Sequence, residues 1–80
     1  MKAKIHVTLK NGVLDVQGKA VAAGLAGLGF AGVGDVRVGR YVEVELAATS
    51  KAEAEAQAKQ MCEKLLANIV IENYRIEIAE

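Results

Sequence analysis

Eighty residues make one small domain, and a chain of this length buries only about 60–65% of its unfolded surface, so oligomerisation is the expected support for a marginal core. Ten basic and ten acidic residues cancel, and only Phe30, Tyr41 and Tyr74 are aromatic, so neither the charge footprint nor the stacking platform of a nucleic-acid binder is present. One cysteine excludes an internal disulfide, no His/Cys cluster has zinc-ligand spacing, and no apolar run approaches a membrane span, so the expectation is a soluble, unprocessed cytoplasmic protein with no metal and no membrane partner.

From Lys2 to Leu9 the odd positions Ala3, Ile5, Val7 and Leu9 are apolar and the even positions Lys2, Lys4, His6 and Thr8 polar, which predicts a first strand with one wet face. His6 lies on that wet face without a partner carboxylate or thiol nearby in sequence, and reads as a solvated side chain. Asn11-Gly12 then supplies residues that tolerate positive φ, and Asp15 can accept from the free amides of a following helix. Val13 and Leu14 belong to neither element: two branched apolar residues in a tight surface loop either fold back onto the core or meet a partner.

The first helix is predicted from about Val16 to Leu28, with Val16, Ala20, Val21, Gly24, Leu25 and Leu28 on one face and Gly29 as terminator. Its interior glycines weaken it by up to about 1 kcal/mol each, which calls for close packing against a sheet or another subunit. Gly27-Leu28-Gly29-Phe30-Ala31-Gly32 has the spacing G-x-G-x-x-G, but a helix precedes it and a strand follows. That is the reverse of a dinucleotide-binding turn, so it reads as a helix stop.

Between Val33 and Ala48 the apolar positions Val36, Val38, Val42, Val44 and Leu46 keep one parity across Gly39-Arg40, which predicts one long strand bent near Gly39. A dozen extended residues reach roughly 40 Å, more than so small a domain can flank, so part of this strand should pair with another chain. Ser50-Lys51-Ala52-Glu53 is a capping box that opens a second helix with Ala54, Ala58, Met61, Cys62, Leu65 and Leu66 on one face. Cys62 on that stripe reads as a small hydrophobe. Asn68 is predicted to close the helix in a left-handed conformation, and Val70, Tyr74, Ile76 and Ile78 alternate in a last strand whose parity Glu72 breaks. Ile69 and Ile71 imply cover on both faces where that strand begins.

The order β-α-β-α-β predicts an α+β two-layer sandwich, an antiparallel sheet with two helices on one face, and a strand-sharing dimer; a break at Gly39 would make it the ferredoxin-like βαββαβ arrangement. No paired carboxylates, activated nucleophile or phosphate-cradling loop stands out, so the residues favour a binding module with no catalytic site of its own.

The blocks Leu9 to Val21, Leu28-Gly29-Phe30, Val36-Arg37-Val38-Gly39-Arg40 and Cys62 to Asn68 run nearly end to end. On them the chain resembles the PurS subunit of formylglycinamide ribonucleotide amidotransferase, also called phosphoribosylformylglycinamidine synthase. It departs from the family pattern where Val16 and Ile69 replace two prolines; the loss at the first helical position, Val16, still permits a helix. The resemblance implies a single PurS-like domain over residues 1–80 that acts in purine biosynthesis as a homodimer or dimer of dimers. It would bridge a large synthetase subunit, PurL, and a glutaminase subunit, PurQ, and support ammonia transfer between them. ATP, magnesium and glutamine would be used by the complex and none bound by this chain. The resemblance and the loop chemistry together place the partner surface at Lys10, Gly12, Val13, Leu14, Asp15, Gln17 and Arg37. The competing reading is an ACT-like small-molecule-binding regulatory dimer, with ligand held at the turn from Gly27 to Gly34.

Overall fold

The computed structural model of residues 1–80 has strands β1 (Lys2–Leu9), β2 (Arg40–Glu45) and β3 (Glu72–Ala79), with helix α1 (Val16–Gly27) after β1 and helix α2 (Lys51–Met61) after β2. All pairing is antiparallel in the order β2-β1-β3, so the first strand is central. Its alternation is realised as expected: Ala3, Ile5 and Val7 are fully buried, while Lys2, Lys4 and His6 lie on the opposite face.

Helix α2 covers the apolar face. Ala54, Ala58 and Cys62 have no exposed surface, and Ala58 and Cys62 form one core with Ala3, Ile5, Val7 and Ala67. Small residues at these positions let the helix lie close to the sheet, and Val42, Val44, Tyr74, Ile76 and Ile78 pack around the contact. The start is the predicted one: the Ser50 hydroxyl accepts from the Glu53 amide at 3.2 Å, and Glu53 turns back to the Thr49 amide and hydroxyl at 3.3 and 3.1 Å. Burial pushes the Cys62 thiol above its ordinary pKa, in keeping with a packing role.

The end of α2 differs from expectation. Cys62–Leu66 forms a wide turn in which the Ala67 amide reaches back five residues to the Cys62 carbonyl at 3.1 Å. The extra residue rotates the stripe, so Cys62 and Ala67 face the core and Leu65, expected on the buried face, is 83% exposed. Asn68 is not left-handed, because no residue other than glycine has a positive φ. It closes the segment through its side chain, whose oxygen accepts from the Val70 amide at 3.2 Å, and through its carbonyl, which accepts from Ile71 and Glu72. Ile69, Val70 and Ile71 remain exposed in the protomer, so the two-sided cover expected there is not supplied by its own helices.

The long middle strand pairs with another strand of the chain only over Arg40–Glu45, a ladder that Met1 and Leu46 extend by one backbone pair; residues 33–39 have no strand beside them. Gly39 marks the junction, where a methyl group would sit 2.3 Å from the Val7 carbonyl oxygen, so the residue is glycine because the backbones nearly touch. Helix α1 stands away from the sheet: Gly18 is its only buried residue, and Val16, Val21 and Leu28 are exposed. Of the two helices expected on one face, only α2 covers the sheet of its own chain. The radius of gyration is 15.9 Å, against about 12 Å for a compact domain of this length.

Glu72, the residue that breaks the apolar parity, holds this architecture together. Its carboxylate takes both arms of the Arg40 guanidinium at 2.8 and 2.9 Å and the Asn68 amide at 2.7 Å, while Arg40 also donates to the Leu66 carbonyl at 2.8 Å. One fork thus joins the starts of β2 and β3 to the end of the helical segment. The Arg40 guanidinium, with the Asn68 amide, holds the Glu72 carboxyl below the usual value near 4.5. The folded state therefore binds its proton less readily than the unfolded chain. The resulting stability is complete above that value and is lost as pH falls through the folded pKa. Glu72→Gln is expected to cost about 1–2 kcal/mol in urea unfolding at pH 7, towards the low end for charged hydrogen bonds because the Arg40 side chain is 53% exposed. The gap to the parent should close as the same measurement moves below pH 4.5; a gap independent of pH would assign the loss to packing.

Candidate partner-docking loop

The loop from Lys10 to Asp15 is built by four sets of backbone-directed bonds. Val13 donates to the Lys10 carbonyl at 3.2 Å, closing a turn whose third residue, Gly12, has φ +87°, the conformation for which Asn11-Gly12 was read. Lys10 donates to the Ile71 carbonyl at 2.8 Å and so anchors the turn to the approach to β3. Arg37 comes from the far side: Nη1 donates to the Val13 carbonyl at 3.1 Å and Nη2 to those of Lys10 and Leu9 at 3.1 and 3.4 Å. A planar fork on three convergent carbonyls clamps the loop from outside.

Asp15 completes the knot. One carboxylate oxygen accepts from the Gly18 amide and the other from the Val38 amide, both at 2.7 Å. The first bond caps α1 as predicted; the second ties that helix start to the segment that becomes β2. The Val38 amide, then the Gly18 amide and the Arg37 charge, hold the Asp15 carboxyl below the usual carboxylate range. Gly18 lies so close to this segment that a methyl group would fall 2.0 Å from the Val36 carbonyl oxygen.

The sequence-derived site residues thus divide by position. Asp15 is buried and, with Arg37 and Gly12, is committed to shaping the loop. Leu14, 64% exposed, and Gln17 stand outward, with Lys10 and Val13 half-buried beside them. Leu14, Val13, Lys19, Asp35 and Arg37 surround a shallow depression of about 310 Å³. Gly18 and Arg40 lay within the family blocks, but sequence reasoning gave neither a role at the site. Gly18 looked like one more helix-weakening glycine, and Arg40 could have been traced from the misplaced Glu72.

Comparison with known proteins decides the family. The family model described as "PurS: Phosphoribosylformylglycinamidine (FGAM) synthase" matches residues 2–80. The chain belongs to the PurS family. Among PurS proteins, the Synechocystis phosphoribosylformylglycinamidine synthase subunit is 52% identical over 75 residues, covering 94% of this chain and 75% of the relative. The Bacillus subtilis PurS crystal structure superposes with a TM-score of 0.85 at 47% identity, over 99% of this chain and 98% of that one. A chain of the structure entitled PurLQS from Thermotoga maritima gives 0.87 at 30% identity, over 95% and 93%. The PurS assignment, made above on four sequence blocks, is borne out, and with it the small α+β fold built on an antiparallel sheet. At the first departure from the PurS pattern Val16 still opens α1 as its first residue, 70% exposed, so the lost proline leaves the helix start in place.

Gly18→Ala is expected to destabilise the protein by about 1–3 kcal/mol although alanine is the better helix former, because the added carbon meets backbone. Gly24→Ala, with open space around its α-carbon, should hold or raise stability. Thermal unfolding of the two variants checks the contrast. Equal effects would mean that the Val36 contact does not constrain the helix.

Proposed function

We propose that this chain is the small, non-catalytic subunit of phosphoribosylformylglycinamidine synthase in purine biosynthesis. In this reading a homodimer, or a pair of dimers, joins the synthetase subunit PurL to the glutaminase subunit PurQ in the cytoplasm. The complex uses ATP, magnesium and glutamine, and ammonia released at the glutaminase passes to the synthetase without this chain taking part in bond making. The observation that carries the reading is the superposition, over 95% of the chain, on a chain of the Thermotoga maritima PurLQS structure.

The loop of residues 10–17 is the proposed docking surface. Its backbone is fixed before any partner arrives, which lowers the ordering cost of binding. Leu14 and Val13 present branched apolar surface beside the polar heads of Lys10 and Gln17, the mixture of apolar centre and polar rim that stable contacts use. Asp15, Gly12 and Arg37 hold these side chains in place.

Val13→Asp with Leu14→Asp tests this. The variant is expected to keep its circular dichroism and thermal midpoint, since Leu14 buries little and Val13 is partly solvated. It should bind the two larger subunits at least 30-fold more weakly, about 2 kcal/mol, because two carboxylates would be desolvated without partners. Glutamine-dependent, ATP-driven amidation by the reconstituted complex should fall with it. A normal rate at limiting concentrations of the variant would remove the loop from the docking surface.

A further inference from the structure

The turn that leads into β3 has the wrong composition for a turn in water. Ile69, Val70 and Ile71 are three consecutive branched apolar residues, all exposed, Val70 to 78%. Surface turns are ordinarily made of Gly, Asn, Asp and Ser, and a run of apolar side chains left in water marks a surface that another molecule covers. These three cannot fold back. The Asn68 side chain accepts from the Val70 amide at 3.2 Å, the Asn68 carbonyl from the Ile71 and Glu72 amides at 3.0 and 2.7 Å, and the Asn68 amide donates to the Glu72 carboxylate at 2.7 Å. The turn therefore presents its side chains from a fixed backbone, as the loop of residues 10–17 does.

The two segments lie side by side. Leu9 pairs with Glu72 at the end of the β1–β3 ladder, and the Lys10 amide adds one more bond, 2.8 Å long, to the Ile71 carbonyl. Paired strands run about 4.7–4.9 Å apart, so Lys10 and Ile71 are neighbours, with the chain continuing to Val13 and Leu14 from one and back to Val70 and Ile69 from the other. Lys10 sits at the seam. The other charges at this end are already matched: Asp15 and Arg37 are engaged with backbone, and Arg40 and Glu72 with each other. Lys10 is half-buried and lies within ion-pair distance of no carboxylate. An ammonium between two apolar segments is complemented by an acidic group from outside. A second copy that met this end with its own would bring another unmatched lysine to the same contact.

We propose that the turn Ile69–Ile71 and the loop of residues 10–17 form one continuous docking surface. Its occupant is a patch on a single larger subunit of the complex, with apolar side chains at its centre and a carboxylate opposite Lys10. The turn supplies the greater share of the apolar area, and Lys10, at the seam, fixes the register in which the patch is seated. The exposed run at residues 69–71, which the fold of the protomer leaves without cover, is then covered on assembly. The inference rests on the docking reading above and extends it to a second segment and a charge requirement.

Photo-cross-linking in the reconstituted complex tests it. Benzoylphenylalanine is placed singly at Leu14 and at Val70 of the full chain, and each protein is mixed with PurL and PurQ and irradiated. Both positions are expected to join the same larger subunit. A cross-link from position 14 but none from position 70, or one from position 70 to a second copy or to a different subunit, overturns the extension alone. A cross-link from position 70 but none from position 14 overturns the loop reading and the continuous surface with it. Val70→Asp is expected to raise the concentration of this chain that half-saturates glutamine-dependent amidation at least 30-fold, with circular dichroism and sedimentation of the free protein unchanged. An unaltered half-saturation, or a loss traced to altered sedimentation of the free protein, overturns the proposal. Lys10→Met, which keeps the aliphatic stem, should raise the same concentration about 10-fold at 50 mM salt and flatten its rise between 50 and 300 mM salt. A slope equal to the parent's would overturn the carboxylate opposite Lys10.

Discussion

One carboxylate sets the geometry on which the rest of the molecule depends. Asp15 accepts the Gly18 amide on one oxygen and the Val38 amide on the other, and so joins the beginning of α1 to the approach to β2 across more than twenty residues of sequence. A neutral amide in its place could not accept equally on both sides, because one of its two heads is a donor. Arg37 adds a positive fork on the carbonyls of Leu9, Lys10 and Val13, so loop, helix start and strand approach move as one body. Charge at this place is spent on shape: the Asp15 carboxylate and the Arg37 guanidinium are both already engaged with backbone.

The pieces that sequence made legible are those governed by local rules. Alternation over Lys2–Leu9 named the buried row Ala3, Ile5 and Val7; Ser50 and Glu53 named the start of α2; Asn11-Gly12 named a turn with positive φ. These depend on residues a few places apart, where period and capping chemistry act directly. The errors came where a distant contact overrode the local pattern. Leu65 satisfies the helical stripe, but the five-residue reach from Ala67 to Cys62 turns it outward. Asn68 is a good candidate for a left-handed stop, yet Glu72 receives its amide and the chain turns without a positive φ.

The proposed docking loop was singled out by a mixture of chemistry and resemblance, and the fold separates the two contributions. Resemblance picked out a block whose members do different jobs. Gly12, Asp15 and Arg37 make the backbone knot, and Val13, Leu14, Gln17 and Lys10 lie over it. Glu72 shows the converse. No motif marked it; it was visible only as an acidic residue in a row meant for apolar ones, and it proved to be the partner of Arg40. A broken pattern in a short strand is therefore a pointer to a specific long-range partner, and here that partner lay in one of the blocks already singled out.

The strand order has a bearing on how the chain comes to be folded at all. Because β1 is the middle strand, its two edges are matched by segments beginning at residues 40 and 72, both of them made after it. During synthesis the ribbon Lys2–Leu9 has neither strand partner until those later segments are made, and contacts so far apart are the slow ones to form. Lys2, Lys4 and His6, set between its apolar residues, keep that waiting ribbon wet and discourage it from adhering to others of its kind.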